Sequence, residues 1–346
     1  MKINHSKPYF TVDDEKSLLR VLKHQFVTNG PMSKKLGERA ASYLQKNYGV
    51  PTQSGTDALT AAFSVMNLQE GAAIALPAYI CSAPLDALEL AKVKPVPVDI
   101  DKNTLAISVE SVNERTDIST VLAAHLFGIP APFYRLKCEN IIEDCAQTLG
   151  IDIDGYRVGS MGNFAVCSFY GTKLLTTGHG GLVAVNDDKL YRSIMELIQH
   201  DNQDTWSPHF HFQMSDLNAA LGLSQFEQLG GMINKRREIA GRFLDALGEG
   251  DHIANSVYSR FLVVSNDDIN IAIQRFNDAG IEAKRPVYKP LFHYLNYSPD
   301  EFPNAQWAYD NIISVPIYPA MTEEEILYIE QYLESNKNDL HCWPPA

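Results

Sequence analysis

The 346-residue chain has few cysteines, and they show no pairing pattern. Zinc sites and disulfide frameworks use cysteines in even sets at short, regular spacings. Here the number is odd and no C-x-x-C motif occurs, so the sequence predicts free thiols in a reducing cytoplasm and no metal site. The five cysteines are Cys81, Cys138, Cys145, Cys167 and Cys342.

The sequence also lacks long apolar runs and an excess of basic residues. No run of about 18 apolar residues occurs, so no transmembrane helix is predicted. The first ten residues, MKINHSKPYF, lack the apolar segment of a signal peptide. Because the formal net charge is -13 at pH 7, phosphate backbones and anionic lipids repel the chain, which argues against nucleic acid and membrane partners. An anionic substrate would need a local basic pocket.

Short apolar strands alternate with helical segments through the first 200 residues. This rhythm is typical of a mostly parallel sheet that is covered by helices on both faces. Strands are predicted at 48–53, 72–77, 94–100, 119–127, 140–146, 164–170 and 181–186, and helices at 34–47, 57–66 and 84–91.

The pattern changes after about residue 200. One or two long helices are predicted at 217–247, a strand at 260–265, and helices at 269–280 and 322–333. Thr322 and Glu325 have the spacing of a capping box at the start of the last helix. We therefore predict a large domain over residues 1–235 and a smaller domain over residues 236–346.

Three polar stretches carry candidate chemistry. Ser54, Gly55 and Thr56 precede a predicted helix, whose first N–H groups can bind a phosphate or form an ordinary N-cap turn. Asp144 ends an apolar strand, where a carboxylate needs a cation such as a protonated pyridine nitrogen, unless it caps a helix or pairs with an arginine. Lys173 lies in a glycine- and threonine-rich loop, which suits a Schiff-base lysine with a lowered pKa or a surface lysine.

In this order, the three stretches resemble the DegT/DnrJ/EryC1/StrS family of fold type I pyridoxal-phosphate enzymes, the sugar aminotransferases. The resemblance runs from Asn29 to the C-terminal helix. Its motifs are SGTDAL (54–59), PVPVDID (95–101), HLFG (125–128), EDCAQ (143–147), SFYGTK (168–173), MSDLNAALG (214–222) and VPIYP (315–319). It implies an α/β fold: a large domain with a mostly parallel seven-stranded sheet between helices, plus a smaller α+β C-terminal domain.

The resemblance implies a role for each matching residue. Lys173 would form an imine with pyridoxal 5'-phosphate and then shuttle protons. Asp144 would pair with the pyridinium nitrogen and keep the ring an electron sink, and Gln147 would hydrogen-bond the ring 3-oxygen. The phosphate would be held by Ser54, Gly55, Thr56, the backbone of Asp57, and Ser168.

Three positions depart from the family pattern. Cys81 replaces the aromatic residue that usually covers the cofactor ring, so either Tyr79 or another side chain covers the ring, or this face of the cofactor is less tightly covered. The N-x-R-M stretch that reaches the partner subunit's site reads HFQM, with His211 and Gln213 at the asparagine and arginine positions. His179 stands where the glycine loop usually has an acidic residue. These three differences from the family pattern concern the identity of the substrate more than that of the cofactor.

The resemblance implies a nucleotide-sugar aminotransferase. It would move an amino group from glutamate or glutamine to a keto-deoxy sugar nucleotide, for polysaccharide or secondary-metabolite sugars. It would be a symmetric homodimer in which His211 serves the partner's cofactor. Candidate substrate contacts are His125, His179, Gln213 and Arg285, the last in a basic cluster with Lys284 and Lys289.

Other interpretations remain open at this point. A sugar dehydratase of the same family would have a histidine in place of Lys173. A non-catalytic cofactor-binding regulator and an aminotransferase for a non-sugar ketone are also compatible with the departures. Surface or packing roles are predicted for His200, His209, His293 and His341, and a solvated helix face for Lys235, Arg236 and Arg237.

Overall fold

The computed structural model describes residues 1–24, 26–28, 30–198, 209–249 and 256–343. Its helices are α1 Val12–His24, α2 Pro31–Tyr43, α3 Gly55–Val65, α4 Ala83–Leu90, α5 Val109–Asn113, α6 Asp188–Ile198, α7 Asp216–Leu247, α8 Ile269–Asp278, α9 Leu291–Tyr294, α10 Pro303–Asn311 and α11 Glu323–Ser335. Its strands are β1 Tyr48–Thr52, β2 Ala73–Pro77, β3 Lys94–Val98, β4 Thr120–Ala124, β5 Asn140–Asp144, β6 Asp152–Ile153, β7 Tyr156–Arg157, β8 Phe164–Ser168, β9 Gly181–Val185, β10 Phe261–Ser265, β11 Ile312–Val315 and β12 Leu340–Cys342.

The larger sheet has seven strands in the order β1-β9-β8-β5-β4-β2-β3. Neighbouring strands from β8 to β3 pair in parallel, and β9 is antiparallel to both β1 and β8. Every residue of β4 and β9 is buried, as expected for strands that are covered on both faces. The predicted mostly parallel seven-stranded α/β sheet is confirmed.

A three-stranded antiparallel sheet, β11-β10-β12, is built from the C-terminal part of the chain. It shares a buried apolar cluster with α8, α11 and the second half of α7, which includes Phe243, Phe261 and Phe276. The N-terminal residues join this cluster, because Ile3 pairs with Ile281 in a parallel bridge. Helix α7 is continuous across residues 235 and 236, so the domain boundary placed there stays a prediction.

The predicted strands run two or three residues too long at several C-terminal ends, because buried apolar residues such as Ile100, Phe127 and Phe169 continue the apolar run beyond the end of the strand. The capping box at α11 is confirmed: Thr322 Oγ1 accepts the Glu325 N–H at 3.2 Å, and Glu325 Oε2 accepts the Thr322 N–H at 2.8 Å. Helix α1 was not predicted from the sequence, although Leu18, Val21 and Leu22 have helical spacing. None of the helices in the described ranges is long and apolar enough to cross a bilayer.

Candidate active site

The C-terminal ends of β4, β5 and β8 lie side by side at one edge of the larger sheet, and a cavity opens there. The first turn of α3, the turn after β2 and the loop before β9 form its walls. Open α/β sheets bind ligands at this edge. The predicted residues that line the cavity are Ser54, Gly55, Thr56, Cys81, His125, Asp144, Gln147, Ser168, Lys173 and His179.

The start of α3 has the geometry of an anion-binding site, here called the cup. Ser54 is the N-cap, and its Oγ accepts the Asp57 N–H at 3.1 Å. The N–H groups of the first helical turn have no partner within the helix, so they are available to an anionic ligand. The Asp57 N–H already donates to Ser54, and Asp57 does not line the cavity. The cup is therefore formed by Gly55 and Thr56 more than by Asp57.

Two glycines let the cup contact the strands behind it. A Cβ atom on Gly55 would lie 2.9 Å from the Cβ of Ser168, and a Cβ on Gly181 would lie 2.2 Å from the carbonyl oxygen of Ser54. Any side chain at either position would push α3 away from β8 and β9. The close approach places the Ser168 hydroxyl beside the first turn of α3, as a second polar wall of the cup.

Asp144 lies at the end of β5, where its Oδ1 accepts the N–H of Ala146 at 2.8 Å. Burial raises the pKa of this carboxyl group, and the Ala146 hydrogen bond and the positive charge of Lys173 partly oppose that rise. The cationic group that acts on Asp144 is Lys173, and no arginine acts on it. The half-buried carboxylate therefore lacks a full counter-ion, and a cationic pyridinium nitrogen would supply one.

Lys173 is not a surface lysine. Its side chain lines the cavity, and its backbone N–H donates to the Tyr170 carbonyl at 2.9 Å in the turn after β8. Burial lowers the pKa of Lys173, while the nearby Cys81 and Asp144 raise it and Arg260 lowers it. A lowered pKa makes the neutral, nucleophilic amine more available near neutral pH.

Gln147 and His125 are fixed by backbone groups behind the cavity. Gln147 Oε1 accepts the Phe127 N–H at 3.1 Å, which leaves its amide nitrogen as a donor for a ligand. His125 Nδ1 accepts the Ala131 N–H at 2.9 Å, and Nε2 lies 2.9 Å from Glu143 Oε1. Because Nδ1 is an acceptor, the ring is neutral and donates its Nε2–H to Glu143.

Glu143 is a buried charged residue that the sequence analysis did not identify as part of the site. Burial alone raises the pKa of Glu143, but hydrogen bonds from His125, Gly159 and Gly162 outweigh it and hold the pKa below its usual value. The N–H group of Met161 also donates to this carboxylate, at 2.8 Å. A glutamate inside the apolar stretch NIIED was the available signal, because an unpaired charge is not tolerated in such a strand.

Tyr79 does not cover the cavity, contrary to one expectation. Its ring is fully buried, 6.0 Å from the ring of Phe127, and its hydroxyl donates to the Ala308 carbonyl at 3.4 Å. The chain turns after Tyr79, so that Ile80 and the exposed Cys81 face the cavity instead. The cavity wall at this position is therefore formed by the aliphatic side chain of Ile80 and the thiol of Cys81, and not by the ring of Tyr79.

Two further candidates lie away from this chain's own cavity. His211 is exposed, and its carbonyl accepts a hydrogen bond from Gln53 Nε2 at 2.6 Å. Gln213 forms an isolated bridge with Thr52 at the open edge of the sheet and lines a different groove. Neither side chain lines the cavity of Lys173.

Arg285 is also outside the cavity, since its guanidinium lies 4.7 Å over the Tyr309 ring and donates to the Tyr309 carbonyl and to Asn270. The predicted solvated helix face is wrong for Arg236. Its side chain is 5% exposed and donates to the carbonyls of Tyr258 and Ile317.

The other histidines have ordinary surroundings. His293 hydrogen-bonds Gln306 at 3.1 Å, and His341 lies 3.8 Å from Glu249. His209 is half-buried. His200 and Asn29 lie outside the described residues. Within the described ranges, no group of three His, Cys, Asp or Glu side chains could hold a metal ion.

The family model of the DegT/DnrJ/EryC1/StrS aminotransferases matches residues 8–334. The chain belongs to this family. Among its relatives, the GDP-perosamine synthase of Escherichia coli O157:H7 is 27% identical over 325 residues, which cover 87% of this chain and 89% of the synthase.

Solved structures share the whole fold at low identity. The putative sugar aminotransferase Spr1654 from Streptococcus pneumoniae, in its PMP form, has a TM-score of 0.89 and 22% identity, over 98% of both chains. Helicobacter pylori PseC, an aminotransferase involved in the biosynthesis of pseudoaminic acid, has a TM-score of 0.90 and 19% identity, over 98% of this chain and 100% of PseC.

Family membership confirms what the sequence predicted: this DegT/DnrJ/EryC1/StrS member is an aminotransferase that depends on pyridoxal 5'-phosphate. The cavity fits that cofactor. It combines a helix N-terminus for a phosphate, a carboxylate without a full counter-ion and a lysine with a lowered pKa.

Proposed function

We propose that this enzyme transfers an amino group from glutamate or glutamine to a keto-deoxy sugar nucleotide. The observation that carries the proposal is the meeting of Lys173, Asp144 and the cup of α3 in one cavity. The names of the relatives favour sugars as acceptors, since one makes GDP-perosamine and another acts in pseudoaminic acid biosynthesis. The product would enter a surface polysaccharide or a secondary metabolite.

Each residue of the cavity has a separate task. When bound, the cofactor supplies an electron sink for the carbon that gains or loses the amino group. Asp144 would keep the ring nitrogen protonated, because that positive charge stabilises its carboxylate. The Gln147 amide would donate to the ring oxygen, and Ser168 and Thr56 would hold the phosphate. Lys173 Nζ would anchor the cofactor and act as the base and acid for the transferred proton.

We further propose a symmetric homodimer with shared active sites, working in the cytoplasm. The support is the position of His211, which is exposed and does not line its own chain's cavity. In a two-fold dimer the same segment of each chain reaches the same place on the other. His211 would then donate a hydrogen bond to the partner's phosphate. The segments 1–235 and 236–346 are proposed as the two domains.

The test separates the two half-reactions. Purified protein is mixed with L-glutamate or L-glutamine, and the visible absorbance of the bound cofactor is followed. The proposal expects that absorbance to fall with one of these donors, and Lys173→Ala, the control, to show no change. The amine-form protein is then mixed with keto-sugar nucleotides, and products are identified by mass spectrometry. A protein that binds the cofactor but responds to neither donor would be a regulator, and amination of simple ketones alone would exclude a sugar role.

A further inference from the structure

The proposed substrates are anionic, and the cavity has few groups that can bind an anion. Sugar nucleotides carry a diphosphate, amino-acid donors carry carboxylates, and the chain itself has a net charge of -13. An acidic protein needs a local positive group to bind such ligands. Among the described residues that line the cavity, the side chains able to become cationic are Lys173, His125 and His179.

Two of these three side chains are already committed. Lys173 anchors the cofactor in the proposed function. His125 is 1% exposed, and both of its ring nitrogens are engaged, one by the Ala131 N–H and the other by Glu143. Its Nδ1 accepts a hydrogen bond, so the ring is neutral and has no donor left for a ligand. His179 remains, and it is exposed at the rim of the cavity.

The backbone holds His179 in place. Its carbonyl accepts hydrogen bonds from Thr177 Oγ1 at 2.7 Å and from Asn218 Nδ2 at 2.8 Å. Asn218 lies in the first turn of α7 and also donates to the Thr177 carbonyl at 2.9 Å. These hydrogen bonds therefore hold the backbone of the loop before β9 against the long helix.

The imidazole ring is supported by Tyr170. The two rings meet edge to face, with centroids 5.4 Å apart and planes at 69°. Tyr170 also lines the cavity, and its carbonyl accepts the N–H of Lys173 at 2.9 Å. The pair, here called the Tyr170–His179 rim, thus includes a residue of the turn that carries Lys173.

We propose that His179, supported by Tyr170, determines specificity by binding an anionic group of the substrate. The group is the diphosphate of a sugar nucleotide or a carboxylate of the amino donor, and a ring N–H of His179 is the donor. This inference rests on the proposed function and extends it to a named residue. A hydrogen bond to a charged group contributes about 1.5–3 kcal/mol, which corresponds to a roughly 10- to 100-fold change in affinity.

The test uses cofactor-loaded wild type, His179→Glu, His179→Gln and the control Lys337→Glu, which places a carboxylate on an exposed position near the C-terminus. L-Glutamate is titrated by cofactor absorbance, and GDP and UDP are titrated by calorimetry. We expect His179→Glu to raise the half-saturating concentration of the amino acid or of the nucleotides at least tenfold, and His179→Gln to raise it less. The class that is affected identifies the anionic group.

Cofactor content and the resting spectrum should stay unchanged in all variants, because His179 acts on the substrate. Half-saturating concentrations for His179→Glu within twofold of wild type for all three ligands would overturn the proposal, as would a wild type that binds none of them. A wild type that binds these ligands yet aminates no keto sugar would contradict the proposed function and leave the binding role of His179 standing.

Discussion

The buried His5 gives a prediction whose size follows from the structure. Its Nε2 contacts Ser314 Oγ at 2.9 Å, and its Nδ1 lies 3.0 Å from Arg260 Nη1. An arginine can only donate, so Nδ1 is unprotonated and the ring is neutral. Burial, with the charges of Arg260 and Lys284, lowers the pKa of His5 to about 2 from its ordinary 6.5, despite an opposing hydrogen bond that the ring donates to Ser314.

A lowered pKa makes folding stability depend on pH. Between pH 6.5 and pH 2 the unfolded chain binds one more proton at His5 than the folded chain does, so stability falls as the pH falls through this window. From pH 7.5 to pH 5.0 the loss from this one group is about 2 kcal/mol. His5→Asn keeps an acceptor for Arg260 and a donor for Ser314, and it cannot titrate.

The assay is urea unfolding of the cofactor-loaded protein at pH 7.5 and pH 5.0, followed by tryptophan fluorescence. Other groups titrate in this range, so the measured quantity is the difference between wild type and His5→Asn in their loss of unfolding free energy. We expect wild type to lose about 2 kcal/mol more than the variant. His341→Asn removes a half-exposed imidazole and serves as the control. If wild type and His5→Asn lose the same unfolding free energy between the two pH values, the assignment of His5 as a neutral ring that accepts from Arg260 is refuted.

Three further predictions concern the active site. Asp144→Asn removes the charge that keeps the ring nitrogen protonated, so turnover should fall by orders of magnitude while thermal unfolding changes little; a near-normal rate would exclude the role. Cys81→Trp should be tolerated and should slow cofactor loss during dialysis, because the thiol faces open cavity; loss of cofactor binding would show that the space is filled. Lys173→Ala and His211→Ala homodimers should each be impaired. When the two variants are refolded together, half the dimers are mixed and each mixed dimer has one intact site, so activity should recover to about a quarter of wild type. No recovery after proven mixing would mean that His211 does not serve the partner.

The sequence alone was sufficient to identify the candidate site residues that lie in short motifs near the ends of strands. Ser54 caps a helix, Asp144 and Ser168 end strands, and Lys173 lies in the loop after β8. Parallel strands bring such positions to one edge of the sheet. The spacing of apolar residues predicted those strands, and the resemblance to the family supplied the roles of the residues at their ends.

The sequence could not predict which way each side chain points, because tertiary packing decides its orientation. Tyr79 and Cys81 are two residues apart in one turn, yet one ring is fully buried and the other side chain is exposed. Arg236 looked like part of a solvated basic run, but α7 turns its guanidinium toward two carbonyl groups. Glu143 was passed over because its four hydrogen-bond donors come from distant segments of the chain.

Every step of the proposed reaction depends on Lys173 as the anchor of the cofactor. Purified wild type and Lys173→Ala are each treated with borohydride, digested and sequenced by mass spectrometry. We predict that wild type carries the reduced cofactor on the peptide that contains Lys173. The variant should carry none, while still binding pyridoxal 5'-phosphate reversibly through the cup of α3. A reduced cofactor on any other lysine of the wild type, or one retained by Lys173→Ala, would contradict the account.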